Sequence, residues 1–363
     1  MRKLPVFLAS IALVASFTTT SYASEWSFYG QARMTTFWMD EDYGDFGIFF
    51  GGTKDHDLDH RLQDNARIGA NVKVGDNLVG RFEYGTGINL RILWGEYDFG
   101  SFKLGVGQHY TPVNIFISNQ VFDDDINMRP FGCVYGGMNP MVQFKFGDFK
   151  LAFVAPESRI SLYIDPITWF FWAGADTDVK IPRIEASYRF YLGDVSLELQ
   201  GGYNTFDLVN FADESHEVTA YILALSASCN AGPLYLAGDI FMGQNIEDLG
   251  IWTAGFGLAG LSVDLLTGSA DILDNDALGW LIVAGFSANE NLRFEAGYGQ
   301  AKFDMEESDN EDEVAAIYFQ AKITLAKGIF ITPEIGKIDY KEEMFNNNEG
   351  DTIYYGLQWQ ISF

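Results

Sequence analysis

Two cysteines, Cys133 and Cys229, and four histidines are all that 363 residues offer for disulfide, metal or imidazole chemistry. A secreted domain held by disulfides carries more cysteines at regular spacings, so both thiols are expected to be free. A Ser–His hydrolase needs a nucleophile, an imidazole and an orienting group in one place. No G-x-S-x-G elbow is present. His109 opens a long unpatterned stretch and reads as a pore or hydrogen-bonding residue. Asp55, His56, Asp57, Asp59 and His60 lie in an acidic segment where solvation, rather than metal binding, is expected. Past the N-terminus no apolar run is long enough for a transmembrane helix. Positive charge is scarce too: 23 Lys and Arg stand against 50 Asp and Glu, a net −27. That excludes nucleic acid as a partner. It suits a surface that carries divalent cations or draws in cationic solutes. The reading is of a chain that performs no chemistry and needs no cofactor.

What is present starts with a targeting segment. Arg2 and Lys3 precede the apolar stretch Val6 to Phe17, and Ser21-Tyr22-Ala23 fits a small-x-small cleavage site. Residues 1–23 are expected to be a signal peptide, and 24–363 the mature chain. Its charge balance is 21 minus 50, or −29, once Arg2 and Lys3 are removed.

From residue 26 the pattern has a period of two, which puts alternate side chains on opposite faces of a strand. Trp26, Phe28, Ala32, Met34 and Trp38 share one parity, and Ser27, Tyr29, Gln31, Arg33 and Thr35 the other. Ala66, Ile68, Ala70, Val72 and Val74 oppose Asn65, Arg67, Asn71 and Lys73. Gly75-Asp76-Asn77 supplies a tight turn, after which Leu78, Phe82 and Tyr84 oppose Arg81 and Glu83. Short turns recur near Gly100, Gly147, Gly193, Asn230–Pro233, Gly260, Asn289–Asn291 and Lys327-Gly328, and between them lie longer acidic loops such as 40–61, 303–313 and 340–351. With the turn at Asp76 this gives eight hairpins and, adding the first and last strands, eighteen strands. The segments 91–99 and 251–259 are hard to phase, and if one hairpin is a folded loop the count is sixteen. One aromatic, aliphatic face and one mixed with Gly, Ser, Asn, Gln and charges fit a lipid-facing wall around a wet lumen. The expected fold is all-β, a transmembrane antiparallel up-and-down β-barrel. Ile353, Tyr355, Leu357, Trp359, Ile361 and Phe363 give the last strand an apolar face ending on an aromatic residue. The barrel is expected to close there against the first strand, because an open edge in lipid leaves backbone groups unpaired. Phe363 is therefore an assembly residue.

The rhythm breaks at 110–140. A loop this long is usually functional or disordered. Ile115, Phe116, Ile117, Val121, Phe122, Phe131, Val134 and Tyr135 make it apolar, so it needs a surface to pack on. It is expected to fold into the lumen as a constriction, carrying Asp123, Asp124 and Asp125. Arg33, Arg67 and Arg81 share the inward parity of three successive strands and could face those carboxylates as a basic ladder. The alternative is that they pair locally with Glu83 or loop acids.

The signal segment, the hairpin RIGANVKVGDNLVGRFEYG, the segment YDFGSFKLGVGQHYTP and the terminal Phe363 together resemble the general diffusion porins of Gram-negative outer membranes. In motif the resemblance covers mainly 62–112 and the last ten residues. It implies a trimer of sixteen-stranded barrels in outer-membrane lipid and lipopolysaccharide, with the third long loop folded inward against wall arginines. Where that family often has Arg two residues before the Tyr of its motif, this chain has Gln108. The expected function is a water-filled channel for passive diffusion of small hydrophilic solutes and ions, preferring cations. A substrate-specific channel and a plugged structural barrel are the alternatives. Gly30 and Ala32, with Ala66 and Ala70, offer small lipid-face side chains for close approach in a homotrimer.

Overall fold

In the computed structural model, residues 24–44, 54–87, 89–158, 176–209, 215–253, 257–263, 270–308, 311–341 and 350–363 are described. The expected signal peptide at 1–23 lies outside them. Near the start of the chain are β1 (Ser24–Asp42), β2 (Lys54–Asp59), β3 (Arg67–Val74), β4 (Leu78–Gly85), β5 (Leu90–Asp98) and β6 (Lys103–Tyr110). After the long loop come β7 (Met138–Phe146), β8 (Phe149–Val154), β9 (Asp176–Asp178), β10 (Arg183–Leu192), β11 (Val195–Val209), β12 (Ser215–Ala231) and β13 (Leu234–Gln244). The remainder are β14 (Gly260–Val263), β15 (Ala270–Leu273), β16 (Asn275–Asn289), β17 (Leu292–Met305), β18 (Asp312–Ala326), β19 (Ile329–Tyr340) and β20 (Asp351–Ser362).

One antiparallel sheet contains eighteen strands, and sixteen of them close a barrel. The two short additions are β2, which continues along the upper part of β1, and β9, which pairs with the end of β11. The turn expected at Gly260 is not a hairpin between wall strands. It begins the small separate β14–β15 ribbon, inside an excursion between β13 and β16. Closure follows the chain ends: β20 pairs with β1 from Gln31↔Ser362 to Asp42↔Asp351. Gly30 and Phe363 then exchange two backbone hydrogen bonds, of 2.7 and 3.0 Å. Every edge of the wall is paired, as lipid demands.

Alternation sorts the two faces. Ile353, Tyr355, Trp359, Ile361 and Phe363 point outward and are exposed, whereas Thr352, Tyr354 and Gln358 on the same strand are buried inside. The main apolar core is not between two sheets. It lies in the lumen, where Val113, Ile115, Met128, Phe131 and Val134 of the long loop pack on Ala220, Ala224, Phe241, Leu281 and Phe303 of the wall. Small inward residues leave room for the loop, and each large apolar side chain so buried is worth about 1.5–3 kcal/mol gross. At the return of the loop, Gly132 takes φ +93°. A Cβ there would lie 2.1 Å from the Trp280 carbonyl oxygen, so only glycine permits this approach.

Candidate functional site in the lumen

Backbone groups in a loop without ladder partners must find others when buried. Here the wall supplies them. Glu185 on β10 accepts from Val113 N at 3.0 Å, and Gln200 on β11 donates to the Asn114 carbonyl at 3.0 Å. Tyr235 on β13 donates to Ile117 O at 3.0 Å. Glu295 on β17 takes Asn119 N at 2.7 Å and its side-chain amide at 2.8 Å. Glu334 on β19 takes Val121 N at 2.8 Å and Phe122 N at 3.2 Å. Gln120 reaches the Tyr354 hydroxyl on β20 at 2.8 Å. The loop is thus a sash fastened along the inner wall from β10 to β20. Hydrogen bonds to carboxylates are the stronger kind, about 1.5–3 kcal/mol each.

The sash ends in a tight turn at Phe122–Asp125, irregular at Asp123 and Asp124, that packs against β1. Asp125, Asn127 and Met128 are in the left-handed region, with φ 56°, 54° and 62°. Such residues persist where surroundings over-determine them: for Met128 burial and a bond from its N–H to Gln120 Oε1 at 2.7 Å, for Asp125 ionic partners. Asp125 pairs with Arg33 and accepts from Gln358. Arg61 holds Asp124 at 2.9 Å and Asp123 at 2.8 Å. Asp124 also receives the Asp64 backbone N–H at 2.6 Å. Burial, and then the neighbouring charge of Asp124, hold the Asp123 carboxyl above the usual carboxylate range. Burial opposes the Arg61 charge, but the Asp124 bond and charge outweigh it and raise the guanidinium further.

The other two ladder residues are arranged differently. Arg67 and Arg81 meet Glu83 of β4, at 3.6 and 2.8 Å, and Arg91 joins them at 2.9 Å. The acid triplet therefore touches Arg33 and Arg61, while Arg67 and Arg81 take the local alternative on Glu83. Arg61 was hidden in a segment that reads as acidic loop. Arg91 was hidden by a bulge: Glu83 pairs with Ile92 but Tyr84 with Leu90, so Arg91 is the extra residue. A bulge re-aims a side chain, and this one turns Arg91 inward to Glu83 and to the Tyr110 hydroxyl at 3.1 Å. Gln108, standing where the resemblance implies arginine, donates to the carbonyls of Leu90 and Arg91 at 2.6 and 3.2 Å. It satisfies the backbone that the bulge frees.

Between the sash and this basic wall lies an open cavity of about 630 Å³. Arg33, Arg67, Arg91, Asp123, Asp124 and Asp125 line it. A smaller cavity of about 150 Å³ toward the short-turn end, lined by Arg293, Lys322 and Gln360, shares Arg33 and Asp125 with it. The excursion after β13 enters the lumen too. Ile246, Leu249 and Ile251 join the core cluster, and Trp252 N donates to Tyr135 O at 3.2 Å. Phe116 and Trp252 stay 54% and 37% exposed beside the large cavity, with Arg129 4.0 Å from the Tyr135 ring centre. No signal in the sequence marks this second insertion beyond the absence of phase at 251–259.

The remaining candidates have plain surroundings. His109 packs on Trp94, ring centres 5.4 Å apart. His56 pairs with Asp40, and His60 lies 2.9 Å from the Thr36 hydroxyl. Cys133 is buried, Cys229 half-buried, and both are free. Burial pushes the Cys133 thiol well up. On the lipid face, the Phe363 ring covers Gly30: a Cβ there would lie 2.6 Å from it. Ala70 is fully buried, set between Phe28 and Phe82 in register. Ala32 remains open.

No protein-family model and no curated protein matches the sequence. Solved structures do. The outer membrane channel DcaP of Acinetobacter baumannii aligns with a TM-score of 0.68 at 16% identity, over 96% of this chain and 99% of that one. The trimer form of OmpT, an outer membrane protein of Vibrio cholerae, aligns at 0.59 and 13%, over 94% and 100%. An anion-selective porin from Comamonas acidovorans aligns at 0.57 and 12%, over 94% and 100%. At such identities the likeness is one of fold: the chain has the porin-like outer-membrane channel fold.

Proposed function

We propose that the chain is an outer-membrane channel for passive diffusion of small hydrophilic solutes and ions, with a preference for cations. The observation that carries this reading is the large cavity between sash and wall, lined by carboxylates on the loop side and guanidiniums on the other. A transverse field across a narrow, water-filled section orients polar solutes and filters by size and charge. Cation preference is drawn from two sources: the acidic long loops, whose charges act over about 8 Å at physiological salt, and Asp123, Asp124 and Asp125 inside. The reading takes Asp123–Asp125 as the pore-constriction group and Arg33, Arg67 and Arg81, now with Arg61 and Arg91, as the basic wall. It includes cleavage after residue 23, insertion among outer-membrane lipid and lipopolysaccharide, and a homotrimer. The trimer draws support from the OmpT trimer form, which shares the fold. Its contact would use the open Ala32 rather than Gly30 or Ala70, which aromatic rings of the same chain cover. Mass in mild detergent tests the assembly, and a monomer at every concentration rejects it.

Planar-bilayer recording tests the function. Ohmic steps that no single solute blocks are expected, and a protein that inserts without conducting contradicts the reading. A second reading, a substrate-specific channel, is favoured by Phe116 and Trp252, exposed beside Arg129 in a lumen where water would otherwise disfavour them. Micromolar block by one solute would select it.

A further inference from the structure

Glu83 has no exposed side-chain surface, yet three guanidiniums converge on it. Arg81 donates to one carboxylate oxygen at 2.8 Å, beside the Tyr29 hydroxyl at 2.7 Å. Arg91 donates to the other at 2.9 Å, with Arg67 at 3.6 Å. The backbone is shaped for this cluster. Tyr29, on β1, reaches Glu83, on β4, by crossing β3 at Gly69, the residue opposite Glu83. A Cβ on Gly69 would lie 2.7 Å from the Tyr29 hydroxyl and 2.4 Å from the Phe82 carbonyl. The bulge held by Gln108 delivers Arg91 from the next strand. Among the described residues no other carboxylate pairs with Arg67, Arg81 or Arg91. The cluster therefore carries three positive charges against one negative, a surplus of two facing the lumen. The loop side balances the other way: Arg33 and Arg61 serve four aspartates, Asp59 with Asp123, Asp124 and Asp125, a deficit of two.

We propose that Glu83 is the specificity-setting residue of this channel, although its own carboxylate never meets the solute. It acts through the arginines, by cancelling one of their three charges and by tying all three to the wall, so that they stand beside the water path instead of across it. The proposal rests on the channel reading above and adds to it a residue that sets the sign and strength of the field on the basic side. A buried carboxylate amid guanidiniums acts strongly, because low-dielectric walls focus the field into the opening.

The test is reversal potential under a KCl gradient, in bilayers, with the full-length protein and its charge variants. E83Q keeps the shape and an acceptor for Tyr29 but raises the surplus from two to three. The cation-to-anion permeability ratio is expected to fall by at least about two-fold at about 0.1 M salt, where screening reaches about 10 Å. R81Q/E83Q brings the surplus back to two, and the ratio is expected to return to the wild-type value. R81Q alone lowers the surplus to one and should shift the ratio toward cations. A purely structural role for Glu83 would lower heat resistance in all three variants without opposite-signed shifts or a return in the double variant. Wild-type reversal potential in conducting E83Q, or a double variant displaced further than E83Q, overturns the proposal. If E83Q does not fold, R81Q against R81Q/E83Q decides: the double variant, with a surplus of two against one, must lie toward anions of R81Q, and equal ratios overturn the proposal. Absence of conductance in the wild type would instead reject the channel reading itself.

Discussion

Strands β12 to β20 and strands β1 to β6 alternate in the same way, yet they present the lumen with different surfaces. The first group points Ala220, Ala224, Ala237, Ala277, Ala301 and Ala316 inward, with Glu295 and Glu334 spaced among them. That is a surface for receiving a backbone: small side chains make room, and carboxylates accept hydrogen bonds from its amides. The second group points Arg33, Arg67, Arg81 and Arg91 inward, with one Glu for three of them. That is a charged surface, and it borders the large cavity. One barrel therefore has a filled side and an open side, and the asymmetry comes from inward residues alone, since the lipid faces of both groups are apolar. The large cavity lies on the charged side.

The largest effect is expected where the two sides are joined. Phe363 follows β20 on the filled side and covers Gly30 of β1 on the open side. Phe363→Asp loses the ring over Gly30 and puts a charge on the apolar face, where its cost depends on depth. Most of the heat-modifiable folded form should disappear from isolated outer membranes. Wild-type levels would show that the seam does not depend on this contact.

Next comes the filled side itself. Glu295→Ala with Glu334→Ala leaves the amides of Asn119, Val121 and Phe122 without acceptors, at about 1–3 kcal/mol for each buried group. The folded form should melt at lower temperature on gels, and single-channel current should become larger and noisier as the sash loosens. Unchanged current with lowered melting would mean that the apolar contacts alone hold the loop.

A smaller effect separates the two sides by pH. Because its range is raised, Asp123 takes up a proton at higher pH than an ordinary aspartate. The fold favours its neutral form, so the cost of its charge is present at neutral pH and relieved as pH falls through the raised value. Cation preference should begin to decline above the usual carboxylate range, and Asp123→Asn should abolish that early decline. An identical pH profile in the variant would place the titration elsewhere.

The strand alternation, the closing strand and the inward loop were legible in the sequence because each is a local pattern: two-residue periodicity, a terminal aromatic face, and an apolar stretch with no period. Two features were not. Gly260 has turn chemistry, but the strands that should flank it do not join the wall, since 245–253 packs into the lumen instead. Turn residues look alike in a hairpin and in a folded excursion. Arg91 sits one residue out of phase through a bulge, and a bulge is set by the partner strand and by Gln108, not by its own neighbours. The partners of the aspartates were half visible. The parity of Arg33 gives its inward direction, but the distance along the barrel from Asp125, rather than from Glu83, depends on how strands stagger at closure. Arg61 lies in no strand, so periodicity carries no information about it.

On this account the charges meeting in the lumen, and not only those at the mouths, set what passes. Reversal potential under a KCl gradient at about 1 M salt, where screening is about 3 Å and distant mouth charges are silenced, tests it most directly. Changing Asp123, Asp124 and Asp125 together to Asn should move the potential toward anion preference, and changing Arg33, Arg67 and Arg81 together to Gln should move it toward cations. If both variants fold, conduct and keep the wild-type potential, the loop at 110–140 does not border the path that ions take.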